Sequence, residues 1–584
     1  MCQLKQVGNK IMSLVLLICV IILAGFEVEA LSYDYSASIE CLANPQKPQY
    51  NGGIIQNPEL NDGLKGWTAF RGAKIEHRES SNNKYVVAHS RNQTHDSVSQ
   101  KIYLQKDNHY TLSAWIQVSD GKVPVRAFVK TTEGLKFAGA TFAESNCWSM
   151  LKGGLTANTS GTAELYFESE NTSVEIWIDS ISLQPFTQKQ WSSHQHQSTE
   201  KARKSKVLVQ AIDEQGNPLP NASIHITQKR LGFPFGSAIN HSILNNGAYQ
   251  NWFTSRFTVT TFENEMKWYM TETTQGKPNY YYADAMLKFA KQHNIAVRGH
   301  NIFWDDPQFQ PGWLSSLSPF QLKSAVRNRI NSLVYKYRGQ LIGWDVVNEN
   351  MHNSLFESKL GQTFSAQTFK VVHFIDGHTT LFLNEYNTIE DQRDGAANPA
   401  RYLQKIKEIQ SYPGNKGLPL GIGLESHFPE FPPNMPYMRA SIDTLAATGL
   451  PIWITELDVK NQNGQAGVLE QVLREIHSHP AIRGIVMWTA WSPQGCYTMC
   501  LTDNNFKNLP TGNVVDKLLH EWGWSKTLSG TTDQNGNLEV SLFHGDYEVE
   551  ISHPAKKNYT LTHHVQVVPN DESGKSSQFV QLSM

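Results

Sequence analysis

Between residues 233 and 522 the chain alternates short apolar runs with stretches of helical periodicity. Nothing else in the sequence constrains the fold as tightly, because repeated strand–helix units are satisfied by parallel strands joined through helical crossovers. Eight candidate strands can be counted: FPFGSAIN, FTVTTFEN, IAVRGHNIFW, LIGWDVVNE, TTLFLNE, PLGIGLESH, PIWITELD and GIVMWTA. Amphipathic stretches such as YYYADAMLKFAKQH and SPFQLKSAVRNRINSLVYKYRG lie between most of them. Eight βα units over roughly 290 residues predict a closed (β/α)8 TIM barrel at 233–522. A doubly wound open sheet is the alternative.

The flanks read differently. Residues 50–186 hold short alternating runs such as HYTLSAWIQV, AELYFES and VEIWIDSISL between Gly, Asn and Ser turns, which predicts a β-sandwich of jelly-roll type. Residues 187–204, TQKQWSSHQHQSTEKARK, are polar without periodicity and read as a linker; His194 and His196 there are more simply solvated than metal-binding. Residues 205–230 and 523–584 each carry strand-and-turn patterns with too little apolar surface to fold alone. They are expected to pack together as one small β-sandwich, split by the inserted barrel.

Lys5 and Lys10 precede an apolar run from Ile11 to Phe26, with Val28 and Ala30 at small-residue cleavage positions. Residues 1–30 therefore read as a secretory signal peptide, with a marginal membrane anchor as the alternative. Secretion into an oxidising compartment turns the four remaining cysteines into candidate disulfides: Cys496 with Cys500 in a small loop, and Cys41 with Cys147. The sequons at Asn92, Asn158, Asn171, Asn221, Asn240 and Asn558 are candidate glycosylation sites. A formal net charge of −2 argues against a nucleic-acid or anionic-membrane partner. The sequence calls for no cofactor and no metal, and the secreted chain is expected to act as a monomer.

In a TIM barrel the functional groups project from the C-terminal ends of the strands. Those ends carry Glu263, Asn264 and Lys267 after strand two, then Arg298, His300 and Trp304 after strand three. Asn348 and Glu349 end strand four, Asn384, Glu385 and Tyr386 strand five, and Glu425 and His427 strand six. Glu456 and Asp458 follow on strand seven, and Trp488 and Trp491 on strand eight. Any one of these is unremarkable as a loop residue; polar groups at every strand end on one rim form a pattern. Glu349 and Glu456 both close apolar strands and can face each other across the mouth. Paired carboxylates of this kind suit glycoside hydrolysis, where one acid protonates the leaving oxygen and one carboxylate attacks the anomeric carbon.

The motifs FENEMKW, RGHNIFW, WDVVNE, LFLNEYN, GIGLESH and WITELDV, in this order across about 235–520, resemble glycoside hydrolase family 10, the endo-1,4-β-xylanases. The resemblance implies Glu349 as general acid/base and Glu456 as nucleophile of a retaining mechanism. It implies Asn348 at the sugar 2-hydroxyl, and Glu263, Asn264 and Lys267 on the non-reducing side. His300 and Trp304 would line the cleaved subsite, His427 would orient the nucleophile, and Trp488 would form an aromatic wall. The family usually places Trp-His after strand three, where this chain has Trp304, Asp305 and Asp306; it usually has Gln where this chain has Glu425, which is carried as a substrate-site residue. The stretch GCYTMCLTDNNFKNLPTGNVVDKLL is similar to plant members. The segments GGIIQNPELNDGLKGWTAFRG and EIWIDSISL resemble the opening and close of a family 22 carbohydrate-binding module, implying sugar contacts at Arg71 and Glu168. His95 stands where that family has an aromatic; a plain jelly-roll spacer is the alternative. The function implied is a secreted endo-1,4-β-xylanase acting on cell-wall xylan. The alternatives are an endo-transglycosylase, a hydrolase of another β-1,4-glycan, or a wall-binding protein of weak activity.

Overall fold

The computed structural model describes residues 31–80, 82–429, 432–555, 560–569 and 578–584. The expected signal segment 1–30 and the sequon at Asn558 lie outside the described residues.

The eight apolar runs form the barrel. Its strands are Phe235–Ile239, Val259–Phe262, Ala296–Gly299, Gly343–Asp345, Thr380–Glu385, Leu420–Leu424, Ile452–Val459 and Ile482–Met487. Each pairs in parallel with its sequence neighbour, and the first pairs with the eighth through Phe235 and Ile485, so the sheet is closed. Their hydrophobicity is nearly continuous because both faces are covered, the inner by the barrel core and the outer by helices. The fourth strand carries the fully buried Trp344, whose ring lies against Gly299 of the third; a Cβ there would stand 2.3 Å from the ring. The indole N–H donates to Asp376 at 3.1 Å.

The N-terminal module is a continuous ten-stranded sheet, antiparallel throughout, folded over Val86, Leu112, Ile116, Leu165, Phe167 and Ile178. Cys41–Cys147 is a disulfide joining the leading segment to this module, and Cys496–Cys500 is a second one above the barrel.

Each sheet of the small sandwich is built around a strand that precedes the barrel. Lys204–Ile212 lies between Asn537–Phe543, antiparallel, and Gln578–Ser583, parallel. Ser223–Leu231 lies between Thr527–Thr531 and Gly545–Ser552, both antiparallel. Val207, Val209, Ile224, Ile226, Val540, Tyr547, Val549 and Ile551 share its core.

Two expectations are corrected here. Residues 187–204 are not a solvated linker: Gln188–Arg203 is an α-helix, capped by Thr187 and Gln190 in a reciprocal capping box. Its buried face is Trp191, His194 and Arg203, too polar to register as hydrophobic periodicity. Trp191 Nε1 donates to Glu475 at 2.7 Å, and Arg203 donates to the carbonyls of His477, His479 and Ile482. His194 stacks on Tyr33 with ring centroids 4.7 Å apart, and burial pulls its pKa down to about 2. The segment is thus a brace between module and barrel. Second, Asn240 is unsuited to a glycan. Its side chain is buried, caps Ser242 N and donates to the Trp491 carbonyl at 3.0 Å. Asn92, Asn158, Asn171 and Asn221 are exposed.

Candidate active site

The barrel strands aim their C-terminal residues into one cavity of about 560 Å³. Glu263, Asn264, Lys267, His300, Trp304, Asn348, Glu349, Glu425, His427, Glu456 and Trp488 all line it. Most sit at or just past a strand end; Glu456 lies within the seventh strand, and Lys267 immediately precedes the short helix Trp268–Thr271.

Glu349 leaves its strand with φ +55°, in the left-handed region that non-glycine residues seldom adopt. Its N–H donates to the Asn384 carbonyl at 3.0 Å, so the neighbouring strand holds the turn. Ser426, between Glu425 and His427, is likewise left-handed at φ +69°. These turns let a buried strand present a carboxyl or imidazole to the cavity.

Asn384 is the hub. Its Nδ2 faces Asn348 Oδ1 at 2.9 Å, Glu456 Oε1 at 3.0 Å and Glu425 Oε1 at 3.1 Å. Thr455 Oγ1 donates to Asn384 Oδ1 at 2.6 Å, fixing which end of the amide points at the carboxylates. The site's two halves are held by pairs beneath them. Asp345 bridges Arg298 at 2.6 Å and His300 Nδ1 at 2.9 Å. Asp458 lies 3.0 Å from His427 Nδ1, leaving Nε2 at 3.5 Å from both Glu425 Oε2 and Glu456 Oε2. Lys267 Nζ lies 4.5 Å from the Trp304 ring centroid and 5.4 Å from that of Trp488.

The two principal carboxyls are driven apart. Burial pushes Glu349 up to about 8, and the charges of Glu385 and Glu456 add to that, against Trp304 and Lys267. Burial also pushes Glu456 upward, but His300, His427 and Lys267 outweigh it and hold the carboxylate down at about 2. Glu425 is pushed well above the carboxylate range by burial and then by Glu456 and Glu349. His427 loses by burial but is held well above its ordinary value by Asp458, Glu425 and Glu456. Glu425, His427 and Glu456 bring ligand atoms within 4.8 Å of one another. Between about pH 3 and 8 Glu349 is therefore a carboxylic acid and Glu456 a carboxylate in the same cavity, the division of labour that glycosidic cleavage requires.

The family model for Glycosyl hydrolase family 10 matches residues 223–515, half of the chain. The chain belongs to glycosyl hydrolase family 10. It is a glycoside hydrolase. A second model, Carbohydrate binding domain, matches residues 52–174 of the N-terminal module. The chain is 37% identical to Endo-1,4-beta-xylanase 5 of Arabidopsis thaliana, over 97% of each. It is 36% identical to Endo-1,4-beta-xylanase 5-like of the same plant, over 93% of this chain and 94% of the relative. It is 35% identical to Endo-1,4-beta-xylanase 4, over 99% of each.

Within this family 10 barrel, Asp305 is fully buried. It accepts from Phe356 N at 2.9 Å and Asn350 Nδ2 at 3.2 Å, so it anchors the following loop rather than meeting the cavity. Asp306 does line the cavity, as do Tyr269, Phe309, Tyr386 and Tyr497. Phe309 stacks on Trp304 with centroids 4.1 Å apart and planes within 3°. Tyr386 stacks on His352 at 3.8 Å, and His352 is clamped between Glu385 and Asp394 at 2.7 and 2.8 Å. The sequence held signals for some of these, such as the aromatic repeat in FWDDPQF; Asn384 was visible only as one more polar strand end.

In the carbohydrate-binding domain, Phe70 and Tyr166 stack with centroids 4.0 Å apart, and both are buried. Arg71 lies over the Phe70 ring at 5.5 Å, and the Tyr166 hydroxyl donates to Glu168 at 2.9 Å. Arg71 and Glu168 thus flank one aromatic stack.

Proposed function

We propose that this family 10 hydrolase is a secreted endo-1,4-β-xylanase that cuts internal β-1,4 bonds of plant cell-wall xylan with retention of configuration. The observation that carries the reading is the opposed displacement of Glu349, to about 8, and Glu456, to about 2, in one cavity. Glu349 gives its proton to the leaving oxygen while Glu456 attacks the anomeric carbon and forms a covalent glycosyl ester. Esterification removes the Glu456 charge, which was one of the groups raising Glu349. The Glu349 carboxyl then falls in pKa and serves as base for the incoming water. Asn348 is assigned the 2-hydroxyl beside the broken bond. Glu263, Asn264 and Lys267 are assigned the preceding sugar, with Trp304 and Trp488 as ring-stacking walls.

The plant relatives named as endo-1,4-β-xylanases, aligned along nearly the whole chain, support xylan as substrate. The apolar run at Ile11–Phe26 and two disulfides support secretion. The N-terminal module is assigned to family 22, with Arg71 and Glu168 as polar sugar contacts. The test is hydrolysis of xylohexaose by wild type, Glu349→Gln and Glu456→Gln, with proton NMR of the first anomer released. Wild type is expected to release the β-anomer first, and each variant to lose roughly 10²-fold or more. No release of xylo-oligomers by wild type, or full activity in both variants, overturns the reading.

A further inference from the structure

Between the eighth barrel strand, ending at Met487, and the helix Pro510–Glu521, the chain runs 22 residues without a regular element. The middle of this excursion is GCYTMC, closed on itself by the Cys496–Cys500 disulfide. Two of its three inner side chains go opposite ways. Met499 is 1% exposed and belongs to the barrel's hydrophobic core, whereas Tyr497 is 82% exposed. A lone exposed aromatic is ordinary on a protein surface. This one borders the catalytic cavity and presents its ring edge-on to His427, with centroids 6.4 Å apart and planes at 71°.

The loop is pinned from below. Leu501 is fully buried and its N–H donates to the Ala490 carbonyl at 2.9 Å, and Thr511 Oγ1 donates to the Cys500 carbonyl at 2.5 Å. Gly495, at φ +97°, turns the chain into the loop. A disulfide spanning so few residues removes little unfolded-chain entropy. What it does do is tie Cys496, next to Tyr497, to the anchored end of the loop. An exposed tyrosine with two χ angles on a stapled backbone is a pre-ordered apolar face, and pyranose rings stack their C–H faces on such surfaces.

We propose that Tyr497 is a sugar-stacking platform at the His427 side of the cleft, and that the Cys496–Cys500 disulfide sets its position. The platform rests on the xylanase reading and adds a specificity-determining residue to it. Its ligand is a xylosyl unit of the bound chain outside the reacting ring, so it contributes to binding of long oligomers and not to the chemical step.

The full chain, with wild type, Tyr497→Phe, Tyr497→Ala and the double variant Cys496→Ser/Cys500→Ser, is assayed on xylohexaose and on an aryl β-xylobioside. Tyr497→Ala is expected to raise KM for xylohexaose about fivefold to tenfold, a loss in the range of one ring stack, with kcat within twofold. Its kinetics on the aryl xylobioside should change less than twofold. Tyr497→Phe should restore wild-type KM, and the disulfide-free variant should shift KM in the same direction as Tyr497→Ala. Unchanged KM in Tyr497→Ala overturns the platform while leaving the xylanase reading intact. Wild-type KM in the disulfide-free variant overturns the role of the staple. If wild type cuts neither substrate, the xylanase reading fails and the platform falls with it.

Discussion

Lys152 Nζ of the N-terminal module stands 2.8 Å from Asp443 Oδ2 of the barrel, and both side chains are shut off from water. Tyr33 also donates to Asp443 at 2.7 Å, and His479 Nε2 lies 2.9 Å from its other oxygen. Module and barrel therefore share a buried ionic centre, and the helix Gln188–Arg203 closes over the same seam.

Removing one member of a buried pair leaves the other charge unpaired, so Lys152→Ala should destabilise module docking by ~3–5 kcal/mol. Burial alone would raise Asp443, yet Lys152 and His479 hold it down at about 2. A depressed carboxyl stabilises the fold above its unfolded value of about 3.9 and loses that contribution as pH falls through the folded value. Wild type should thus keep the module docked down to about pH 3, whereas in Lys152→Ala burial raises the unpaired Asp443 carboxyl, so docking should be weakest at neutral pH, where it is ionised, and partly recover on acidification. Limited proteolysis across the 187–204 helix against pH reads the difference; identical cleavage profiles would count against the seam.

The acid role of Glu349 fixes the alkaline limb of activity. Its carboxyl is protonated below about 8, so kcat/KM should fall as pH rises through that value. Because the Glu456 charge contributes to the displacement, Glu456→Gln should move the Glu349 titration downward. Carbon NMR of labelled glutamate follows this directly. A Glu349 titration unmoved by Glu456→Gln contradicts the coupling.

The resemblance to family 10 implies a glutamine where this chain has Glu425. Burial and its two acidic neighbours keep it protonated, and a protonated carboxyl presents one donor and one acceptor oxygen much as a carboxamide does. Glu425→Gln should therefore retain kcat/KM within about threefold near pH 6. A loss of a hundredfold would mean that Glu425 works as an ion.

The barrel was legible because its strands are apolar on both faces and its rim residues recur at each strand end. Glu349 and Glu456 stood out for the same reason: a carboxylate ending a buried strand has no structural excuse. The brace at 187–204 was not legible, since its buried face is an indole, an imidazole and a guanidinium whose partners lie some 280 residues away in Glu475 and the His479 carbonyl. Asn384 is legible in the sequence only as a polar strand end. Its importance comes from three oxygens converging on one amide, and no local pattern announces convergence. The buried Asn240 shows the same limit in reverse, because a sequon is a local signal and burial is not.

The small sandwich makes the most exposed structural prediction. Lys204–Ile212 and Ser223–Leu231 are each the inner strand of a sheet whose remaining strands come from beyond the barrel. Deleting 523–584 strips both of every strand partner and opens Val207, Val209, Ile224 and Ile226 to water. Lone strands do not hold their conformation in water, so residues 205–230 should become protease-sensitive. The barrel, closed on its own strands, should keep its resistance. Pulse proteolysis with mass-spectrometric mapping separates the two segments. A truncated chain in which 205–230 stayed as protected as in the full protein would show that these strands do not depend on the C-terminal half for their order.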